Sequence, residues 1–481
     1  MPHRTPHALA ALTTATVLGA ALFTAVPAAT AAPAKYADDF NGDGYRDLAT
    51  AAPYTPVGGK TDAGAVVVTY GSANGISAAR RTILTQDTAG IPGTAEQGDR
   101  FGKSLTSGDL NADGYADLVI GSVGEDVGSD ADGGSVTVVW GGKSGLSGGK
   151  GVPDPAVSAH DEYGMSLTVG DFDGDGRPDL AAGSTGSDIW IHESFTKTSG
   201  PAARHELATG LQTGSSIYGA QNLSAGDIDG DGTDDLVVTG SEASTYDDGN
   251  MIYLGSASGL TYQTFLRNGG WELATVGDLN GDGYDDVVSA AFGGVAGDGK
   301  SIGGSVTAYL GSAQGVRTQP QTTINQDTPG VPGADEEGDW FGNDLSIADV
   351  NGDGYGDLAV GTLHETIDDA EIAGSVTVLR GSAAGLTATG AQSFTQNTAG
   401  VPGTAESADR FGASVRLSDL NGDGKADLSV GSDGENHPSG AVYSLRGSAS
   451  GVTTKNAISF GPGSLGMSTT GYLRLGQDML G

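Results

Sequence analysis

The sequence predicts an all-β protein: a seven-bladed β-propeller of four-stranded blades, its ring closed by the C-terminal strand. Three observations predict it. An acidic pattern, D-φ-[DN]-x-D-G-x-x-D-φ with φ apolar, returns seven times. Strand-like runs flank each copy, four to a repeat. Glycine makes up 83 of the 481 residues, about 17% against a usual ~7%, too much for a mostly helical chain. The 37% hydrophobic content can still fill a core.

The copies begin at Asp39, Asp109, Asp171, Asp227, Asp278, Asp349 and Asp419, at spacings of 70, 62, 56, 51, 71 and 70 residues. They leave no room for a separate domain. In the second unit Phe101 to Gly108 leads into the acidic loop, Asp117 to Ser122 leaves it, and Gly134 to Gly141 alternates as a β run. In the first unit VVVTYGS, an Ala-Asn-Gly turn and ISAARRTIL read as a hairpin that supplies the fourth strand. Four short strands per repeat without a helical period describe a propeller blade. A linear solenoid would need shorter, more uniform units, and a sandwich would not repeat seven times.

Only Ala34 to Asp38 precede the first loop, where sister repeats carry a Phe-Gly strand. The run Arg474 to Met479 aligns with Arg100 to Leu105, so the chain end is expected to pair into the first blade. That pairing shuts the ring and removes open sheet edges.

Residues 1–31 read as a signal peptide: a weakly basic start at Arg4, an apolar stretch from Ala8 to Val26, and an A-x-A cleavage site at Ala29 to Ala31. The expectation is a secreted, monomeric propeller over 32–481, with no transmembrane segment. The formal charge of −37 becomes −38 (22 basic, 60 acidic) without Arg4, which disfavours nucleic acid as a partner. With no cysteine there are no disulfides, thiolate metal sites or cysteine nucleophiles.

The acidic loops are expected to bind about seven Ca²⁺. Position 1 is the Asp that starts each copy. Position 3 is Asn41, Asn111, Asp173, Asp229, Asn280, Asn351 and Asn421; position 5 is Asp43, Asp113, Asp175, Asp231, Asp282, Asp353 and Asp423. Position 9 is Asp47, Asp117, Asp179, Asp235, Asp286, Asp357 and Asp427. These hard oxygens suit Ca²⁺, with the position 7 carbonyl of Tyr45, Tyr115, Arg177, Thr233, Tyr284, Tyr355 or Lys425 completing each site. Position 6 is always glycine, which takes the sharp turn without penalty. An EF-hand would need a chelating Glu at position 12, but Thr50, Ile120, Ala182, Val238, Ser289, Val360 and Val430 stand there. Mg²⁺ fits less well because it keeps more of its water.

The Phe-Gly strand, acidic loop and DLVIGS-type strand resemble the FG-GAP repeat of the integrin α-subunit N-terminal propeller. Ala51-Ala52-Pro53 looks like its GAP element, and the likeness covers residues 34 to 480. The resemblance implies Ca²⁺ loops on the lower rim and ligands on the opposite face. Departures limit it: integrins carry such loops in only some blades and bind through a β-subunit, and the fifth unit has Gly270-Trp271 in place of Phe-Gly.

Two enzyme motifs fail on context. Gly294 to Ser301 matches a P-loop but precedes a β run, and Gly145 to Gly149 matches G-x-S-x-G in a hairpin turn. The histidines His160, His192, His205, His364 and His437 are scattered. Three long, similar inter-blade segments start at Gln86, Gln326 and Gln396 and precede blades 2, 6 and 7. They predict a raised arc over blades 5, 6, 7, 1 and 2, lined by Glu96, Asp99, Glu336, Asp339, Trp340, Glu406, Asp409 and Arg410, with Trp340 as a stacking residue. The other reading of these loops is that they only cover blade junctions.

The function expected is a Ca²⁺-loaded extracellular recognition or adhesion module for glycan or protein ligands. The alternative is a secreted hydrolase or polysaccharide lyase with its active site opposite the Ca²⁺ loops. Convergent His, Arg or Tyr groups at the ring centre would mark the enzyme; an aromatic and amide-lined surface would mark the binding module.

Overall fold

A computed structural model describes residues 1, 33–214, 217–267, 272–292, 302–436, 438–469 and 471–481. The expected leader, Gly270-Trp271, the P-loop-like segment and His437 lie wholly or almost wholly outside them. Among the described residues, seven four-stranded antiparallel sheets account for all the named strands, and Pro462–Leu465 is a single helical turn. No helix there is long and apolar enough to cross a membrane.

The second blade shows the pattern. Phe101–Gly108 lies innermost, followed by Asp117–Ser122, Ser135–Val139 and Lys150–Val152. Asp117–Ser122 is buried at all six positions because another blade lies against each of its faces. This is why DLVIGS reads as a continuous apolar run rather than an alternating one.

The core is divided among the blade junctions, with seven apolar clusters, each joining two neighbouring blades. Ala49, Val66 and Val68 of the first blade, for example, meet Phe101, Leu118 and Ile120 of the second. Phe101 docks there by a parallel bridge to Gly64. Gly64 has φ +94°, and a Cβ on it would lie 2.3 Å from the Phe101 backbone, so a larger residue would part the blades. Phe341 and Phe411 are fully buried at equivalent junctions, as is Tyr163.

The ends meet as expected. Met479–Leu480 pairs with Leu48–Ala52, with Thr50 opposite Met479 and Ala49 opposite Leu480. Leu475 bridges Gly440 as Phe101 bridges Gly64. Leu475 and Met479 are fully buried in the closing cluster with Leu48, Val67, Val442 and Phe460. One detail differs from the sequence reading: the fourth strand of the first blade begins at Arg81, not just after the Asn74-Gly75 turn. Ile76 leaves the sheet instead and is buried in that same closing cluster, which its apolar side chain serves better than an edge strand would.

Truncation after Gly471 should therefore lower the melting temperature sharply while removing none of the acidic-loop residues. Leu475→Ala alone should cost about 2–5 kcal/mol. Calorimetry showing the truncated protein melting like the full chain would contradict the closure.

Candidate functional site

In six blades the acidic loop joins the first two strands, and in the first it leads into Leu48–Ala52, whose inner neighbour is the closing strand Met479–Leu480; the same hydrogen bonds recur in each. The position 6 N–H donates to the position 1 carboxylate at 2.8–3.0 Å in all seven loops, from Gly44, Gly114, Gly176, Gly232, Gly283, Gly354 and Gly424. Those glycines have φ between +81° and +89°, which other residues adopt only with strain. The position 7 N–H donates to the position 5 carboxylate, as from Thr233 to Asp231 at 2.8 Å. These turns gather the oxygens of positions 1, 3, 5 and 9. In the third and fourth blades, ligand atoms of Asp171, Asp173 and Asp179, and of Asp227, Asp229 and Asp235, lie within 4.8 Å of one another. That donor set fits a hard divalent cation.

The position 9 aspartates are almost fully buried. Asp235 accepts the Ile228 N–H within its own loop and the Gly255 N–H beyond the third strand, both at 2.8 Å. Asp47, Asp286 and Asp357 make the same pair of bonds. Sequence reasoning gave this residue only a chelating role; here it also ties the loop to its blade. Burial, reinforced by neighbouring carboxylates, pushes Asp47 and Asp179 up to about 8 and Asp117, Asp235 and Asp286 up to about 7. Among the described residues, none of these five aspartates pairs directly with a lysine or arginine, though Arg80 and Lys197 reach other carboxylates of the first two loops.

The loops are not equivalent. Arg380 lies 3.2 Å from Asp357 and Arg446 lies 3.0 Å from Asp427, so an arginine reaches position 9 in the sixth and seventh blades. Arg80 pairs with Asp43 at 3.1 Å and Lys197 with Asp113 at 2.6 Å. Among the described residues, no lysine or arginine makes an ion pair with the carboxylates of the third or fourth loop.

On the opposite face the inter-blade segments lie against the loops between second and third strands. Arg100 N–H donates to Asp62 O at 3.0 Å and Arg410 N–H to Ile372 O at 3.1 Å. Asp99, Asp339 and Asp409 are buried, and each accepts a backbone N–H within its own segment, from Glu96, Glu336 and Glu406 at 2.6–3.1 Å. Asp99 and Asp339 thus shape their loops. Glu96, Glu336 and Glu406 are exposed. Ile91 and Val401 sink into junction clusters, so these segments do brace the ring.

The innermost strands surround a polar channel of about 800 Å³. Lys103, Met165, Asn343, Ala413 and Gln477 line it, and each donates its N–H to the carbonyl three residues earlier, at Arg100, Glu162, Trp340, Arg410 and Arg474. Those five residues stand at the upper mouth, all with φ between +52° and +61°. Trp340 stacks on His364 at a centroid distance of 4.0 Å. Arg474 lies over Tyr54 and Tyr472. Arg410 and Arg474 share the buried Asp433 at 3.6 and 3.4 Å. Deeper, Arg416 spans Asp344 of the sixth blade and Asp478 of the closing segment at 3.5 and 3.6 Å. The sequence reading singled out Trp340 and Arg410 but missed Lys103, Asp433, Arg474 and the tyrosines; the column of residues before each Phe-Gly pair carried the signal.

Gly145 to Gly149 is a turn between strands, with Ser147 N–H bonded to Trp140 O, as its hairpin context implied. The other described histidines make separate contacts: His160 with Asp154, His192 with Tyr163, and His205 with Glu193.

The FG-GAP repeat model matches residues 37–69, 341–379 and 411–445, and the FG-GAP-like repeat model matches 109–182 and 227–289. All seven acidic loops fall inside these segments. Integrin alpha pat-2 of Caenorhabditis briggsae is 30% identical over 225 residues, 42% of this chain and 18% of its own. Integrin alpha-PS2 of Drosophila melanogaster is 32% identical over 222 residues, 42% of this chain and 15% of its own. Phosphatidylinositol-glycan-specific phospholipase D of Bos taurus is 34% identical over 151 residues, 30% of this chain and 17% of its own. The chain spans less than a fifth of the length of these three relatives.

The turn at position 6 should be sensitive to backbone strain alone, because a Cβ on Gly232 would meet nothing within 4 Å. Gly232→Ala is expected to cost about 1–2 kcal/mol. An unchanged denaturation curve would show that the left-handed turn is not required.

Proposed function

We propose, for a chain that belongs to the FG-GAP repeat proteins and folds as an integrin-like propeller, that it is a secreted, Ca²⁺-loaded recognition module for extracellular glycans or proteins. The observation that carries the proposal is the division of labour between the two faces. One rim is occupied by seven stereotyped acidic loops suited to structural cations; the other presents long, structured segments on a rigid ring, where binding residues usually sit. The surface proposed runs over exposed Glu96 and Glu406 and half-buried Trp340 and Arg410. Asp99 and Asp339 support it from below. The similarity to integrin α-subunits and to a phospholipase D supports an extracellular setting.

The gathering of Arg100, Arg410, Arg474, Tyr54 and His364 about the channel mouth favours a second reading, a hydrolase or polysaccharide lyase at that place. His364 Nδ1 meets the Gly338 carbonyl at 3.2 Å and its ring is stacked on Trp340, so the residue is engaged rather than poised. Binding is therefore the leading reading.

Ca²⁺ is proposed at all seven loops and should be bound most tightly in the third and fourth, which have four carboxylates each at positions 1, 3, 5 and 9. A cation held only by the folded chain stabilises it by mass action. EGTA should lower the melting temperature substantially, and added Ca²⁺ should restore it; an indifferent melting curve would refute the structural role. With a ligand in hand, Trp340→Ala should weaken binding by about 1 kcal/mol or more. Asp175→Ala should affect metal and stability first. Unchanged affinity for Trp340→Ala, together with lost affinity for a folded Asp175→Ala, would move recognition to the acidic rim.

A further inference from the structure

The channel mouth gathers basic side chains, with Glu162 and Asp433 among them, in a chain whose formal charge is −37. Arg410, Arg474 and Arg100 head three successive blades around the closed ring, the seventh, first and second, and Lys103 lies one turn below Arg100. Their local compensation is incomplete. Asp433 serves two arginines at distances longer than direct hydrogen bonds, and Arg100 and Lys103 make no ion pair within 4 Å among the described residues. The buried Nε atoms of Arg100, Arg410 and Arg474 have no hydrogen-bond partner. Burial holds the Lys103 ammonium below its ordinary range; Arg100 and Arg474 add to this, and Asp478 and Glu162 oppose it. An anion entering the mouth would relieve that mutual repulsion.

The backbone fixes where these side chains stand. Arg100, Arg410 and Arg474 hold φ of +54°, +58° and +52°, a turn shared by Glu162 and Trp340 in sister blades, so what sets these three blades apart is the guanidinium each places at the mouth.

We propose that the mouth binds an anionic saccharide, its carboxylate groups among Arg100, Lys103 and Arg474 and its sugar rings against Tyr54 and Tyr472. The guanidinium fork of Arg100 matches a carboxylate in two parallel hydrogen bonds, while Arg474, bonded through Nη2 to the Tyr472 hydroxyl, adds charge and holds the ring in place. Tyr472 is 44% exposed and meets Tyr54 edge to face at 5.5 Å, giving an amphipathic wall beside the charge. The side chains of an acidic peptide offer no flat apolar face to such a wall, whereas a sugar ring does. This inference rests on the reading of the upper face as the recognition surface and names its ligand class.

The test is calorimetric titration of the full mature chain in Ca²⁺ with trigalacturonic acid, its methyl ester and triglutamate. The acid should bind at least tenfold more tightly than its ester. Arg100→Gln combined with Lys103→Gln should weaken the acid at least tenfold with little change in melting temperature, and Tyr472→Ala should weaken it several-fold. Equal affinity for acid and ester, no binding of the acid, or unchanged affinity in the folded double variant would overturn the proposal. Triglutamate binding as tightly as the acid would overturn the saccharide assignment. If the acid does not bind, a neutral glycan that binds the wild type and fails with Trp340→Ala would leave the recognition reading standing while this inference falls. If neutral glycan and matrix-protein arrays also bind nothing at this face, both fail.

Discussion

The buried aspartate at position 9 of each acidic loop is the interaction on which the rest depends. Asp235 shows why: one carboxylate holds its own loop through Ile228 and the end of the third strand through Gly255. Breaking such a tie would leave buried N–H groups unpaired. Yet the same residue sits among other acidic groups, in a setting that raises it to about 7. Hydrogen bonds fix its position, and its charge is left for the cation proposed at this loop to balance. Under that proposal one side chain serves both the loop's structure and its metal.

The loops also link the blades. Asp285 N–H donates to Asp227 O and Gly356 N–H to Asp278 O, both at 2.9 Å, and the equivalent bond recurs from Ala116, Asp234 and Ala426, so neighbouring loops brace one another at five junctions of the lower rim. Above them the junction clusters do the apolar work, and between the two the serines of the innermost strands reach across, as Ser166 Oγ does to Ala220 O at 2.7 Å. Closure uses the cluster and the serine bond and adds an ion pair: Leu475 and Met479 in the cluster, Ser414 Oγ to Gly476 O, and Arg416 bridging Asp344 and Asp478. A ring held this way has rigid rims, which is what lets opposite faces carry different chemistry.

The architecture was legible because the repeat is written in side chains with narrow physical options. A left-handed glycine turn, fixed carboxylate spacings and apolar strand residues all have few alternatives. Even the closing strand could be read, since Arg474 to Met479 keeps the pattern with Leu475 in the place of Phe101. What escaped was anything set by contacts between residues distant from the repeated pattern or from one another in the chain. Nothing local in the sequence says that Arg446 reaches Asp427, that Asp99 turns inward to hold its own loop, or that Ile76 leaves its hairpin for the closing core. The arginine crown escaped for the same reason: Arg100, Arg410 and Arg474 are far apart in the chain and become neighbours only when the ring shuts.

If the acidic rim is the set of cation sites proposed, native mass spectrometry of the calcium-saturated protein, beside a crystal structure grown in Ca²⁺, should count about seven ions per chain, one in each acidic loop, with the third and fourth filling first. A count of zero or one, or ions bound away from these loops, would contradict it.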